Sequence, residues 1–128
     1  MPQQSILVVE DNADDHRILC EALAEVAEDI ALLHAANIGA AWALLTEVPE
    51  AALPTLVITD HHLPDGCGQD LIARLQACPI RCSLPVVMVS GDASAPPELG
   101  VIPWFGKPDT WAGWCALAQN LSRRLTAR

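Results

Sequence analysis

Four short apolar runs in this chain each lead to a residue that can do chemistry. Ile6–Val9 stops at Glu10-Asp11, Leu56–Thr59 at Asp60, Pro85–Val89 at Ser90, and a short run around Trp104-Phe105 is followed by Lys107-Pro108. Runs of this length and composition read as strands buried on both faces, the habit of a parallel sheet. After Asp60 come His61, His62, Leu63-Pro64 and the closely placed Gly66 and Gly68, which read as a loop. In open α/β sheets, ligands and chemistry collect outside the carboxyl ends of the strands. If these four ends share one edge, three carboxylates meet a hydroxyl and a lysine there. Three carboxylates repel one another unless a cation intervenes. A hard divalent ion with oxygen ligands answers that repulsion, and magnesium accepts a site completed by waters and a phosphoryl oxygen. Phosphoryl transfer depends on positioning and charge neutralisation more than on covalent chemistry from the protein. In such a step Asp60 would be the nucleophile. Lys107 would bond the phosphoryl oxygens as a cation, and Ser90 would donate a hydroxyl hydrogen bond.

The elements that must hold these residues alternate along the chain. Ser5–Val9 is a strand, and Ala13-Asp14-Asp15 opens a helix whose acidic first turn suits the positive end of its dipole. Ile18, Leu19, Ala22, Leu23 and Val26 then recur at helical spacing. Ile30–His34 is the second strand and Gly39–Glu47 a short helix carrying Trp42, Leu44 and Leu45. After Leu56–Thr59, a helix over Gln69–Gln76 turns Leu71, Ile72 and Leu75 inward. A final helix over Thr110–Leu125 places Trp111, Trp114, Cys115, Ala118, Leu121 and Leu125 on one face. Strands alternating with helices predict an α/β fold, doubly wound, with a five-stranded parallel sheet and helices on both faces.

The segment Asp60, Leu63-Pro64 and Gly68 resembles the phosphoacceptor segment of response-regulator receiver domains. Glu10-Asp11 after the first strand, Ser90 after the fourth and Lys107-Pro108 near the end agree with that family in order and position. The resemblance covers residues 1–128 as one domain, and it implies the flavodoxin-like strand order 2-1-3-4-5. It further implies a signalling module rather than an enzyme, one that takes phosphate onto Asp60 from a histidine kinase or a histidine phosphotransfer protein and then binds an output partner. It implies Mg2+ held by Asp11 directly, by Glu10 mainly through water, by Asp60 and by the backbone carbonyl of His62. Ser90 and Trp104 would form the switch, since the family usually has tyrosine or phenylalanine at the Trp104 position, swinging inward as the nearby hydroxyl moves toward phosphate. The family also usually has a cis peptide at the Lys107–Pro108 junction.

Two places depart from the family. His61 and His62 put adjacent imidazoles beside the site, a pairing that suggests zinc or copper. Adjacent side chains of an extended chain diverge, however, which weighs against one shared metal. The favoured expectation has His62 lining the mouth of the site and shaping phosphate lifetime, with Asp92 facing it. The second departure is Gly91 to Pro103, where the family has a full fourth helix. Pro96-Pro97 can sit in a first helical turn, but only Glu98 and Leu99 remain before Gly100. A fourth helix shortened to one turn or absent is expected, which would shift partner binding toward the final helix or the edge beside Trp104.

Composition excludes other classes. A nucleic-acid binder needs a basic face, and a net charge of -9 argues against one. No apolar run is long and clean enough to span a bilayer. The five cysteines, Cys20, Cys67, Cys78, Cys82 and Cys115, are an odd number in a chain that opens almost at once into a strand, so reduced thiols in the cytoplasm are expected, with Cys78 and Cys82 near enough in sequence to approach. The alternative function is a phosphohydrolase that uses a strand-end aspartate and magnesium; such enzymes usually carry a second carboxylate two residues later, where this chain has His62. A flavodoxin-like cofactor binder would need a phosphate-cradling loop after the first strand, where residues 10 to 15 are strongly acidic instead.

Overall fold

The computed structural model describes residues 4–27, 29–49, 52–78, 84–92 and 102–126. Strands β1 (Ser5–Val9), β2 (Ala31–Ala35), β3 (Leu56–Thr59), β6 (Val86–Ser90) and β7 (Trp104–Gly106) form one parallel sheet in the order β2-β1-β3-β6-β7. Counting only the strands of this sheet, that is the expected order 2-1-3-4-5. Helices α1 (Ala13–Val26), α2 (Ile38–Glu47), α3 (Gly68–Gln76) and α4 (Trp111–Thr126) cover its two faces.

The alternation of side chains along each strand decides which face is which. Ile6, Val8, Leu56, Ile58, Val87 and Val89 point to a layer closed by α1 and α4. Leu7, Val9, Val57, Val86 and Met88 point to the opposite layer, closed by α2 and α3. Apolar side chains fill both phases of these strands because both faces are covered. Each large side chain buried in this way contributes about 1.5–3 kcal/mol.

The helix starts are capped by local side chains. Asn12 accepts from the Asp15 N–H at 3.0 Å and Asn37 from the Ala40 N–H at 2.7 Å. Asp65 reaches across from the loop after β3 and accepts from the Ile38 and Gly39 N–H groups, both at 2.9 Å. Those two bonds, Gly39 foremost, hold the Asp65 carboxyl below its ordinary value. The same loop contains a short antiparallel pair, β4 (His62–Leu63) with β5 (Gly66–Cys67). Its return runs through Gly66 at φ 149°, a conformation that L side chains rarely adopt.

Element bounds differ from the sequence expectation by about a residue at several ends, where helices and strands fray. One packing expectation fails. Trp114, Leu117, Ala118, Leu121 and Leu125 are buried, but Trp111 is 49% exposed. Helical side chains lean back over the preceding turn. Trp111 is the first residue of α4 and has no preceding turn to lie on. The segment 93–101, with the expected loss of the fourth helix, lies outside the described residues, as does Cys82 and with it any approach to Cys78. The Lys107–Pro108 peptide is not cis, contrary to the expectation carried by the resemblance. No helix among the described residues is long and apolar enough to cross a membrane.

Candidate functional site

Three residues that follow strand ends hang by their backbone N–H groups on the neighbouring strand. Glu10 donates to Ala35 O at 3.0 Å, Asp60 to Val9 O at 3.0 Å and Lys107 to Ser90 O at 2.8 Å. The sheet ladder thus continues one residue past the strands and fixes where these side chains begin. Glu10, Asp60 and Lys107 each stand two residues after a side chain of the α1/α4 layer, namely Val8, Ile58 and Phe105. Period-two alternation therefore sends all three to the same side of the sheet edge.

They meet there. The Lys107 ammonium lies 2.7 Å from Glu10 Oε1, 3.0 Å from Asp60 Oδ2 and 2.8 Å from Asp15 Oδ2. Asp60 Oδ1 accepts from the His61 N–H at 2.7 Å, and Glu10 Oε2 from the Asn12 N–H at 3.3 Å. Glu10 and Asp60 are buried, while Asp11 is exposed. One carboxylate oxygen from each of Glu10, Asp11 and Asp60 lies within 4.8 Å of the others. Asp15 escaped the sequence reading because the helix dipole already accounts for an aspartate there. Only its place one turn beyond Asp11 pointed to the site.

Electrostatics mark this edge as short of positive charge. Burial raises the Glu10 carboxyl to about 7; Lys107 opposes the rise and Asp60 adds to it. Burial alone would lower the Lys107 ammonium, but its bonds to Asp15, Glu10 and Asp60 outweigh that and hold it above its ordinary value. One lysine thus faces three carboxylates directly, with Asp11 beside them. An all-oxygen cluster, under-neutralised and open at Asp11, fits a hard divalent cation.

Ser90 is fully buried, and its Oγ accepts from the Asp92 N–H at 3.2 Å. Among the described residues it makes no hydrogen bond to Asp60. Trp104 pairs in register with Met88 and packs half-buried in the α2/α3 layer, the side on which the alternation also places Ser90. Asp92 faces His62, as expected, with both carboxylate oxygens 3.0 Å from His62 Nε2. It also meets His61 Nδ1 at 2.5 Å, which the sequence did not suggest. The bonds to His61 and then His62 hold the Asp92 carboxyl down at about 2. The two rings do not diverge. Their centroids are 4.3 Å apart, because the chain bends at His61 instead of running extended.

Gly68 carries a tight constraint. A Cβ there would stand 2.2 Å from the backbone oxygen of Asp60, and the Gly68 N–H donates to His61 O at 2.8 Å. The start of α3 is thereby pressed against the peptide of Asp60.

No family profile and no curated protein matches the chain in sequence. Solved structures do match in fold. The phosphorylated cyanobacterial phytochrome response regulator RcpA superposes with a TM-score of 0.83 at 23% identity, over 98% of this chain and 95% of that one. The Mn2+-bound form of response regulator Rcp1 gives 0.78 at 25% identity, over 93% and 91%. The signal receiver domain of a signal transduction histidine kinase from Syntrophus aciditrophicus gives 0.77 at 24% identity, over 97% and 91%. With its sheet order, its helices on both faces and its acidic edge opposite a lysine, the chain has the fold of the response-regulator receiver domains.

Proposed function

We propose that residues 1–128 form one phosphoacceptor receiver domain of a two-component phosphorelay. The observation that carries this reading is the Lys107 ammonium bonded at once to Asp60 and Glu10, beside Asp11, at the carboxyl edge of the sheet. In this reading an Asp60 carboxylate oxygen forms a bond to phosphorus as the phosphorus–nitrogen bond of a donor phosphohistidine breaks, and the imidazole leaves. The donor is a histidine kinase or a phosphotransfer protein in the cytoplasm. Lys107 moves from carboxylate to phosphoryl oxygen, and Ser90 exchanges the Asp92 N–H for the phosphoryl group. Trp104, on the same side of the sheet as Ser90, follows that hydroxyl and changes the surface offered to an output partner.

Glu10, Asp11, Asp60 and the carbonyl of His62 would hold Mg2+, which when bound neutralises the carboxylates and the incoming phosphoryl oxygens. The manganese-bound form of a similar response regulator supports a divalent ion here. Glu10 is already engaged at both oxygens, by Lys107 and by the Asn12 N–H, whereas Asp11 is exposed. Asp11→Ala is therefore expected to weaken Mg2+ binding by about tenfold or more, and Glu10→Gln by less. Titration of the two variants with Mg2+ checks the order; equal losses would contradict the roles assigned.

The reading as a whole is tested with acetyl phosphate and Mg2+ followed by intact mass. The expected result is a gain of one phosphoryl group, absent without the metal and absent in Asp60→Asn. A gain retained in Asp60→Asn refutes Asp60 as the acceptor.

A further inference from the structure

We propose that His61, His62 and Asp92 form a second metal site, separate from the carboxylate cluster, that takes a d-block divalent ion of the Zn2+ type. One ligand atom from each of the three residues lies within 4.8 Å of the others, and the nitrogens that face the Asp92 carboxylate are His61 Nδ1 and His62 Nε2. Two neighbouring residues reach one point because they use different ring nitrogens. The inner ring, His61, offers Nδ1 close to its backbone, and the outer ring, His62, reaches over with Nε2.

The dimensions suit an ion. Zn2+ sits about 2.0–2.2 Å from imidazole nitrogen and carboxylate oxygen, so tetrahedral ligands stand roughly 3.4 Å apart. The nitrogens of His61 and His62 now lie 2.5 Å and 3.0 Å from Asp92 oxygens. Admitting the ion asks the groups to part by only a few tenths of an ångström to about one ångström. The movable partners can do so, since the side chains of His62 and Asp92 are 67% and 33% exposed, while that of His61, at 15%, stays as the anchor. The exposed side leaves room for water to complete the coordination.

Ligand type separates the two sites. Imidazole suits zinc, copper and nickel, whereas the oxygen-only set of Glu10, Asp11 and Asp60 suits magnesium. The sites are nonetheless joined through the backbone. The His61 N–H holds Asp60 Oδ1, and the Asp92 N–H holds Ser90 Oγ. An ion on His61, His62 and Asp92 therefore ties the loop after β3 to the segment after β6. That tie bears on phosphoryl chemistry only if Asp60 is the acceptor; the binding itself does not depend on it.

The test is calorimetric titration of the unphosphorylated full chain with Zn2+ in excess Mg2+, which keeps the carboxylate cluster out of the competition. One equivalent is expected to bind. His62→Ala and Asp92→Asn should each lose more than about tenfold in affinity, the cost of removing even an outer-shell partner of a metal ligand. Asp60→Asn and Cys67→Ser should keep the wild-type affinity, and their retention excludes the carboxylate cluster and the nearby thiol. Since His62 is exposed, its variant is expected to fold, and circular dichroism verifies that it has. The same titration with Co2+ gives a visible absorption spectrum that should change in His62→Ala. Absence of Zn2+ binding in excess Mg2+, or binding undiminished in both His62→Ala and Asp92→Asn, overturns the proposal. The Asp60 reading stands or falls separately on the acetyl phosphate experiment.

Discussion

Replacing Lys107 with methionine is expected to cut the initial rate of Asp60 phosphorylation by acetyl phosphate about a hundredfold or more. Methionine keeps an unbranched apolar stem and removes the ammonium, both its charge and its hydrogen-bond donors. The loss is that of a charged donor aimed at an oxygen where negative charge gathers, for which single deletions typically cost 10²–10³. Stability should fall as well. The Glu10 and Asp60 side chains are each 8% exposed and share the Lys107 ammonium, whose own side chain is 17% exposed. Removing one member of a buried charged group leaves the others uncompensated, at a cost of about 3 kcal/mol.

That loss should depend on pH. Glu10 is raised in the folded protein from 4.5 to about 7, and Lys107 opposes the rise. A carboxyl raised on folding lets the folded state bind more protons than the unfolded one. Its favourable contribution is complete below pH 4.5 and is lost as pH climbs toward about 7. Without Lys107 the Glu10 carboxyl should rise further and the window should extend upward. The deficit of the variant is thus expected to be smaller near pH 5 and largest near pH 8, with Mg2+ recovering part of the gap. Urea unfolding at both pH values measures the stabilities, and intact mass against time measures the phosphorylation rates. An unchanged rate would remove Lys107 from the site, and a pH-independent gap would remove Glu10 from its influence.

Gly68→Ala is the second large effect expected. The new Cβ would meet the Asp60 carbonyl oxygen at 2.2 Å, with Met88 Cε and Thr59 Oγ1 both at 3.1 Å. The first of these is backbone and cannot rotate away. It also accepts the buried Thr59 hydroxyl at 3.0 Å, which ties it in place. Either the first turn of α3 lifts off the sheet or the Asp60 peptide moves. Overpacking of this kind costs about 1–3 kcal/mol. A displacement of about 1 Å at a reacting group can cost about a hundredfold in rate. Gly91→Ala is the matched control, because a Cβ there meets nothing within 4 Å. It should change stability by less than about 0.5 kcal/mol. Thermal unfolding and the acetyl phosphate reaction on both variants decide the matter. Gly68→Ala behaving like Gly91→Ala would show that the helix start relaxes without disturbing Asp60.

Much of this site is written in local order. Ile6–Val9, Leu56–Thr59 and Val86–Ser90 are too apolar to face water on either side, so they belong inside a covered parallel sheet. A parallel sheet puts all its carboxyl ends on one edge, and with them Glu10, Asp60, Ser90 and Lys107. Period two then assigns the faces, because Glu10 follows Val8, Asp60 follows Ile58 and Lys107 follows Phe105 by two residues. Each of these inferences needs only a strand and its phase, which neighbouring residues encode. The choice of Asp15 as a partner of Lys107 is different. It spans 92 positions and depends on how α1 sits against the edge, as the Asp65 caps on Ile38 and Gly39 depend on how the loop after β3 folds back. His61, His62 and Asp92 are the sharpest case. Local sequence alone predicts diverging rings, but a bend at His61 and a carboxylate 31 residues away turn both imidazoles to one point. Trp111 shows the converse. Its helical phase is right for burial, yet at the first residue of α4 there is no preceding turn to cover it. Phase is a property of a segment; convergence between segments is a property of their packing, and only the folded chain contains it.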